Sequence, residues 1–112
     1  MQKAIQKKKI KKLLSNYNEN QILFSKHCKI RMKQRGITEE EIKSILFNVQ
    51  KIIFAEEELA EGYNEKKYRL VYSLSNKYNL LVVVVLKKKK IEIITCSKNM
   101  RKIWNLFPRY KI

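Results

Sequence analysis

Aspartate is absent from this 112-residue sequence, histidine and proline occur once each, and glycine and cysteine occur twice each. Cys28 and Cys96 lie far apart and lack the Cys-x-x-Cys or Cys/His spacing of a zinc site. The glutamates, the ligands left for a hard cation, cluster at 39–41 and 56–58 on segments that we expect to face solvent. The sequence therefore predicts no metal site and no cofactor, and its free thiols predict a reducing, cytoplasmic location.

Long hydrophobic runs are also missing. The longest, residues 80–86, has seven residues, whereas a helix that crosses a bilayer needs about 18. The Lys-rich amino terminus lacks the apolar core of a signal peptide. Apolar residues nevertheless make up 45% of the chain, which excludes a disordered basic tail. We therefore expect one soluble domain over residues 1–112, with no membrane partner.

Positive charge is abundant: 26 lysines and arginines stand against 10 acidic residues, a net charge of +16. Residues 39–65 hold eight of the ten glutamates and two lysines, a net of −6, so the remainder carries +22. A/T-rich coding explains part of the lysine excess, but this segregation predicts one positive face and one acidic face. The positive face favours a nucleic acid over a membrane surface, because the first segment has few apolar anchors.

Three helices are predicted in the first half of the chain. The first is basic and covers residues 1–14, within an amino-terminal extension over residues 1–20. The second begins after Ser25, a suitable N-cap, and ends at Arg35, where a glycine follows. The third begins after Thr38, which has a glutamate three residues later and so matches a capping box.

Beyond these helices the apolar period changes from helical spacing to two, which predicts strands. Four runs rich in β-branched and aromatic residues have short connections, which favour antiparallel neighbours: 51–55, 67–74, 78–86 and 91–96. Residues 99–112 place apolar side chains at helical spacing and predict a short helix that stops at Pro108. The predicted fold is α+β, with amino-terminal helices packed on a four-stranded antiparallel sheet.

The chemistry-bearing pattern lies on the second helix. His27, Arg31 and Arg35 are four residues apart and form one ridge. An imidazole beside guanidinium groups is what RNA cleavage by the 2′-hydroxyl requires, namely a proton acceptor and donors that hold the phosphorane's charge. The histidine is alternatively a capping or half-buried residue, and the arginines are alternatively a solvated basic face. Arginine in a chain dominated by lysine favours bidentate phosphate binding.

Other candidate residues lie on the predicted strands and beyond them. Tyr68 either contacts a phosphate or base, or packs across the sheet. Thr95 either orients a phosphate through its hydroxyl or is simply a good strand residue. The remaining cations are candidates for contacts with the nucleic-acid backbone: Lys67, Arg69, Lys98, Arg101 and Arg109.

The His-x3-Arg-Met-x2-Arg-Gly-Ile spacing that starts at His27 resembles the opening of a small prokaryotic domain family. The later Leu-Leu-Val-Val-Val-Val and Ile-Glu-Ile-Ile-Thr runs are similar to that family's last two strands. The family is grouped, by fold and context, with RelE-like and barnase/EndoU/colicin-type metal-independent ribonuclease toxins. The resemblance makes 21–97 a family-like core and 98–112 a tail.

This resemblance implies a RelE/barnase-like fold and assigns roles to four residues. His27 takes the place of the family's helix-borne histidine, Arg31 and Arg35 that of its arginines, and Thr95 that of its last-strand threonine. The implied function is a metal-independent RNA endonuclease, the toxin of a toxin–antitoxin or related conflict system. Two other functions stay open: a nucleic-acid-binding module without catalysis, and a protein-interaction module whose partner is an acidic antitoxin or immunity protein.

Overall fold

The computed structural model describes residues 2–58 and 66–100 of the chain. Within these residues it contains three α-helices and six strands. The helices are α1 (Lys7–Leu14), α2 (Lys26–Arg35) and α3 (Glu39–Leu46). The strands are β1 (Gln2–Ala4), β2 (Ile22–Phe24), β3 (Ile52–Glu58), β4 (Lys66–Ser73), β5 (Tyr78–Leu86) and β6 (Ile91–Met100). The fold is therefore α+β, as the sequence predicts.

The strands form one sheet in the order β1-β3-β4-β5-β6-β2. The predicted antiparallel meander is confirmed at its centre, where β3, β4, β5 and β6 each pair antiparallel with the next. The prediction of four strands is wrong at both edges, where two strands of three residues each are added. β1 joins β3 antiparallel, and β2 joins β6 in parallel, so the sheet is mixed.

All three helices contribute to one hydrophobic core on one face of the sheet. α1 buries Ile10 and Leu14, α2 buries Cys28 and Met32, and α3 buries its isoleucines and Leu46. The strand residues in the same core alternate along β4 and β5: Tyr68, Leu70, Tyr72, Leu80, Val82 and Val84. No helix within the described ranges is both long and apolar enough to span a bilayer.

The second helix begins and ends at the predicted residues, and the third begins at its predicted residue, because these signals are local. Ser25 caps α2, and Gly36 ends it in the left-handed conformation with φ 68°. Thr38 and Glu41 form the predicted capping box, with the Glu41 amide donating to the Thr38 hydroxyl at 3.1 Å. The acidic first turn of α3 also suits the positive end of the helix dipole.

The prediction of a single helix over residues 1–14 is wrong at its start. Residues 2–4 form β1, in register with Glu56–Glu58 of β3, and the amide of Ile5 continues the pairing by donating to Ala55 at 2.9 Å. The helix proper begins at Lys7. Backbone pairing with a distant strand decides these first residues, and helical periodicity cannot report it.

The glutamates at 56–58 do not form the predicted solvent-facing segment. They belong to β3, where Glu56 is 2% and Glu57 is 5% exposed. Ion pairs with basic residues of α1 and β4 compensate them: Lys9–Glu57 at 3.7 Å, Lys66–Glu57 at 3.4 Å, Lys67–Glu58 at 3.6 Å and Arg69–Glu56 at 3.9 Å. The predicted separation into a positive and an acidic face therefore does not hold at this strand.

The last strand is longer than predicted and contains a bulge. β6 reaches Met100, so the first two residues of the predicted tail helix are in a strand, and residues 101–112 lie outside the described part. Val83 pairs with Thr95 but Val84 pairs with Ile93, which leaves Ile94 as the extra residue. The bulge inverts the alternation of side chains along the rest of the strand.

Candidate functional site

The start of α2 is anchored to β6. The N–H of Ser25 donates to the carbonyl of Ile93 at 3.0 Å, and its hydroxyl donates to the carbonyl of Ile94 at 3.3 Å. The same hydroxyl oxygen accepts from the amide of Cys28 at 3.0 Å as the N-cap. The bulge in β6 thus supplies an acceptor that fixes where the helix begins.

The ridge predicted on α2 exists and turns toward the sheet along its length. Four residues advance about 400° around a helix, so each step rotates by about 40°. His27 and Arg31 are exposed, and the Arg31 Nε donates to His27 Nε2 at 3.5 Å. At Arg35 the ridge reaches the strand, since Nη1 donates to the carbonyl of Cys96 at 2.6 Å. The ridge therefore has a loosely held end at His27 and Arg31 and a fixed end at Arg35.

These contacts give the three side chains different chemical roles. The bond between Arg31 and His27 is at the long limit of a hydrogen bond and easily exchanged. It uses Nε2 as an acceptor, so this nitrogen carries the lone pair that a general base needs. The guanidinium of Arg35 has five N–H donors and uses one of them to bond the carbonyl of Cys96. Arg35 is therefore oriented by the strand and still has donors for an anion.

The cations of α2 are not neutralised. All charged side chains of this helix are basic: Lys26, Lys29, Arg31, Lys33 and Arg35. No carboxylate of the described residues lies within ion-pair distance of any of them, whereas the lysines and arginine of β4 are paired with glutamates of β3. The five uncompensated cations of α2 therefore lie on the same helix as the sole histidine. Such a helix attracts a polyanion.

Lys98 lies on the helix side of the sheet, two residues beyond the strand position that Arg35 contacts. Its Nζ is 2.8 Å from Glu41 Oε2, in the first turn of α3. This contact lowers the pKa of Glu41 below its ordinary value. Lys98 is therefore near the Arg35 end of the ridge, but it forms an ion pair with Glu41.

Two buried thiols lie beneath the ridge. Cys28 of α2 and Cys96 of β6 are both fully buried and unoxidised. The interaction between the two thiols, followed by burial, raises the pKa of Cys28, while the same interaction lowers the pKa of Cys96. A buried thiol with a raised pKa is a packing group and not a nucleophile.

A family match covers the helix, the ridge and the strand that holds it. The domain of unknown function DUF4258 matches residues 24–96, which is more than half of the chain. The chain belongs to this family. No curated protein matches it, and no solved structure does.

The DUF4258 region begins at the last residue of β2 and ends at Cys96, the residue whose carbonyl holds Arg35. It therefore includes the whole ridge and its anchor points. β1, α1 and the lysine at 98 lie outside it. Within the described ranges, no three His, Cys or Glu side chains gather where they could hold a metal ion.

Tyr68 is not at the surface of this DUF4258 protein. It is 1% exposed on the helix-facing side of β4, and its hydroxyl donates to Glu57 Oε1 at 3.4 Å. Burial, together with the Glu57 carboxylate, raises the pKa of Tyr68 to about 12. The packing interpretation of this tyrosine is the one that the structure supports, and it cannot orient a substrate on α2.

Three further predicted residues lie on the opposite side of the sheet from α2. Lys67 and Arg69 alternate with the core residues of β4 and pair with β3 glutamates. Thr95 pairs with Val83, which also points away from the helices. Strict alternation from Ile93 would have turned Thr95 toward α2, but the bulge turns Cys96 there instead. Arg101 and Arg109 lie outside the described residues.

The sequence reasoning missed two parts of the site. The lysines of α2 belong to the same unpaired surface as the ridge, and the signal was present, because no acidic residue occurs between positions 26 and 35. The acceptor for Arg35 is a backbone carbonyl, and a backbone atom leaves no residue-type signal. Only the pairing of α2 with β6 reveals it.

Proposed function

We propose that this chain is an RNA endonuclease that needs no metal and cleaves through attack of the substrate's own 2′-hydroxyl. The observation that carries the proposal is the unpaired basic surface of α2 around the only histidine of the sequence. A neutral-range base and fixed cations are the two things that this reaction needs. The resemblance to a domain family that is grouped with RelE-like and barnase-type toxins supports the same reaction class.

In the proposed reaction, His27 Nε2 accepts the proton of the 2′-hydroxyl as that oxygen attacks the adjacent phosphorus. The new O2′–P bond forms while the P–O5′ bond breaks, and the departing 5′-oxygen takes a proton from water. Arg31 and Arg35 hold the non-bridging oxygens, whose charge increases in the pentavalent transition state. The products are a 2′,3′-cyclic phosphate and a 5′-hydroxyl.

The loose bond between Arg31 and His27 fits this sequence of events. Arg31 donates to the lone pair of His27 Nε2. A phosphate that draws the guanidinium of Arg31 toward itself frees that lone pair for the 2′-hydroxyl. Arg35 already has its orientation from Cys96 and does not need to move. Binding of the phosphate thereby prepares the base.

The test uses end-labelled single-stranded RNA incubated with the purified chain in excess EDTA. We expect cleavage products that end in a 2′,3′-cyclic phosphate, and no cleavage of DNA of the same sequence. His27→Ala should lower the rate about 100-fold or more, the usual worth of a general base. Gln34→Ala is the control, because it changes an exposed residue of the same helix outside the ridge. RNA that stays intact with the unmodified chain, or an unchanged rate with His27→Ala, overturns the proposal.

A binding module without catalysis is the second candidate, and the same contact favours it. If Arg31 keeps its bond to His27 when RNA binds, the imidazole has no free lone pair and the helix only tracks phosphates. This candidate predicts strong, salt-sensitive binding with no products. The cleavage assay separates the two functions.

The biological setting that we propose is a toxin–antitoxin or related conflict system. The acidic antitoxin or immunity protein would cover the unpaired cations of α2, whose charge a carboxylate-rich partner can neutralise. Co-purification of a small acidic protein encoded next to this chain, with RNA cleavage appearing when it is removed, is the expected result.

A further inference from the structure

A second basic feature lies outside the ridge. An open groove of about 820 Å³ runs between α1 and the segment 47–50 that leads from α3 to β3. We call it the α1 groove. Its lining residues are Lys7, Lys8, Lys11, Leu14, Ser15, Tyr17, Phe47, Asn48, Val49 and Gln50. Three of these ten are lysines and none is acidic.

The α1 groove has an apolar floor and a cationic rim. Phe47 and Val49 are half-buried and form the floor with Leu14. Lys7 is tied across the groove, since its Nζ donates to the carbonyl of Gln50 at 3.2 Å. The other two lysines of the rim are exposed, and no carboxylate in the described part of the chain lies within ion-pair distance of them. By contrast, Lys9 of the same helix is paired with Glu57.

We infer that the α1 groove binds a nucleotide of single-stranded RNA, with its base stacked on Phe47 and its phosphates on Lys8 and Lys11. Aromatic rings beside a line of unpaired cations are the usual elements of single-strand binding. The amides of Asn48 and Gln50 and the hydroxyl of Ser15 add donors and acceptors for base edges. This chemistry favours RNA over an acidic peptide, which needs the cations but has no use for a stacking ring.

This inference rests on the proposed function, because it names a second contact region for the same substrate. α1 packs on β3 and α2 packs on β6, on the same face of the sheet. Three strand spacings separate β3 from β6 in the sheet order, roughly 14 Å. The inferred course of the RNA is over this face of the sheet, with one strand contacting both the ridge and the α1 groove. Residues 7–17 are outside the DUF4258 match, so this chain adds the basic wall of the groove to the family core.

The first test measures binding of a fluorescent 2′-O-methyl oligouridine to the full chain. The methyl groups block the nucleophile, so binding is read without cleavage. Lys8→Ala/Lys11→Ala removes two proposed phosphate contacts, and Lys77→Ala/Lys88→Ala is the matched control, with the same charge loss at exposed turn residues outside the groove. We expect about 25-fold weaker binding at 0.1 M salt for the first pair and less than about twofold for the control.

The salt dependence gives a second measure from the same titrations. The slope of log K against log salt should fall in magnitude by about 1.4 for Lys8→Ala/Lys11→Ala, since each single-strand phosphate contact contributes about 0.7. Equal effects of the groove pair and the control pair overturn the inference. They would mean that only the overall charge matters.

The stacking part is tested with Phe47→Leu, which keeps an apolar floor and removes the ring. Its affinity for oligouridine should fall about fivefold or more, while its affinity for an abasic oligonucleotide with the same phosphates stays unchanged. Equal losses for both oligonucleotides, or a glutamate-rich peptide that competes as well as oligouridine, overturn the inference. Circular dichroism confirms folding, and the lysine pair tests the groove even where Phe47→Leu is unstable.

The two proposals fail separately. RNA cleavage that persists together with unchanged binding in the groove variants overturns the groove and leaves the endonuclease intact. Intact RNA together with weakened binding in the groove variants overturns the endonuclease and leaves the binding site.

Discussion

The two arginines of the ridge should respond differently to the same substitution. Arg31→Met and Arg35→Met each remove a guanidinium and keep an unbranched apolar stem. Arg31 has one described side-chain contact, the 3.5 Å bond to His27, while Arg35 holds the carbonyl of Cys96 at 2.6 Å. Only the second substitution removes a bond between α2 and the sheet.

The geometry sets the size of the difference. A hydrogen bond from a charged donor contributes about 1.5–3 kcal/mol, and the exposure of the Arg35 side chain reduces this to about 1–2 kcal/mol. For a domain of this size, that loss lowers the Tm by about 5–10 °C. Arg31→Met changes an exposed residue with one long contact, so its free energy of unfolding should stay within about 0.5 kcal/mol of the unmodified chain.

Urea titrations and thermal melts followed by circular dichroism measure the stability, and the RNA assay in EDTA measures the rate. Both variants should cleave about 100-fold more slowly, because each removes a donor to the phosphorane. Equal stability losses would refute the tether between Arg35 and the strand. A full cleavage rate in Arg31→Met would refute its role as a phosphate clamp, whatever the stability.

Three more predictions concern stability. The pKa of Tyr68 rises from 10 to about 12 on folding. The stabilising contribution of this phenol is therefore complete below pH 10 and is lost as the pH rises toward 12. Urea midpoints should fall between pH 10 and pH 12 in the unmodified chain, and they should fall less in Tyr68→Phe. Gly36 has φ 68° and open space around it, so Gly36→Ala should cost about 1–2 kcal/mol in urea unfolding from backbone strain alone, and Gly36→Asn less. The contact with Lys98 lowers the pKa of Glu41 on folding, so the stabilising contribution of this carboxylate is present above the ordinary value of 4.5 and is lost as the pH falls through the lowered pKa. Lys98→Met should be less stable than the unmodified chain by at most about 1 kcal/mol at pH 7, and urea titrations should show this difference shrinking as the pH falls below 4.5.

The parts of the fold that the sequence predicts are those with local signals. Ser25 and Gly36 mark the start and the end of α2, and Thr38 marks the start of α3. The central strands have seven to ten residues each and contain runs of β-branched and aromatic residues, which predict strands. β1 and β2 have three residues each, too few for a period, and they exist because a distant strand edge pairs with them.

The candidate site also has a part that the sequence predicts and a part that it does not. The contact between His27 and Arg31 follows from helical spacing, so the sequence predicts it. The burial of Tyr68 and the side of the sheet that Thr95 faces depend on how strands and helices are layered. Residue types alone contain no information about that layering. For Thr95, the single extra residue of the bulge reverses the side of the sheet that it faces.

The bulge at Ile94 has a consequence for comparing this chain with other DUF4258 sequences. A relative of the same length without the bulge would keep strict alternation from Ile93, so the position of Thr95 would face α2 and that of Cys96 would point away. Its helix would rest on a hydroxyl, and the Ser25 anchor to the bulge carbonyl would have no equivalent. An ungapped alignment with such a relative therefore compares inward with outward side chains beyond this point, whereas a one-residue gap at the bulge keeps the two faces of the strand matched.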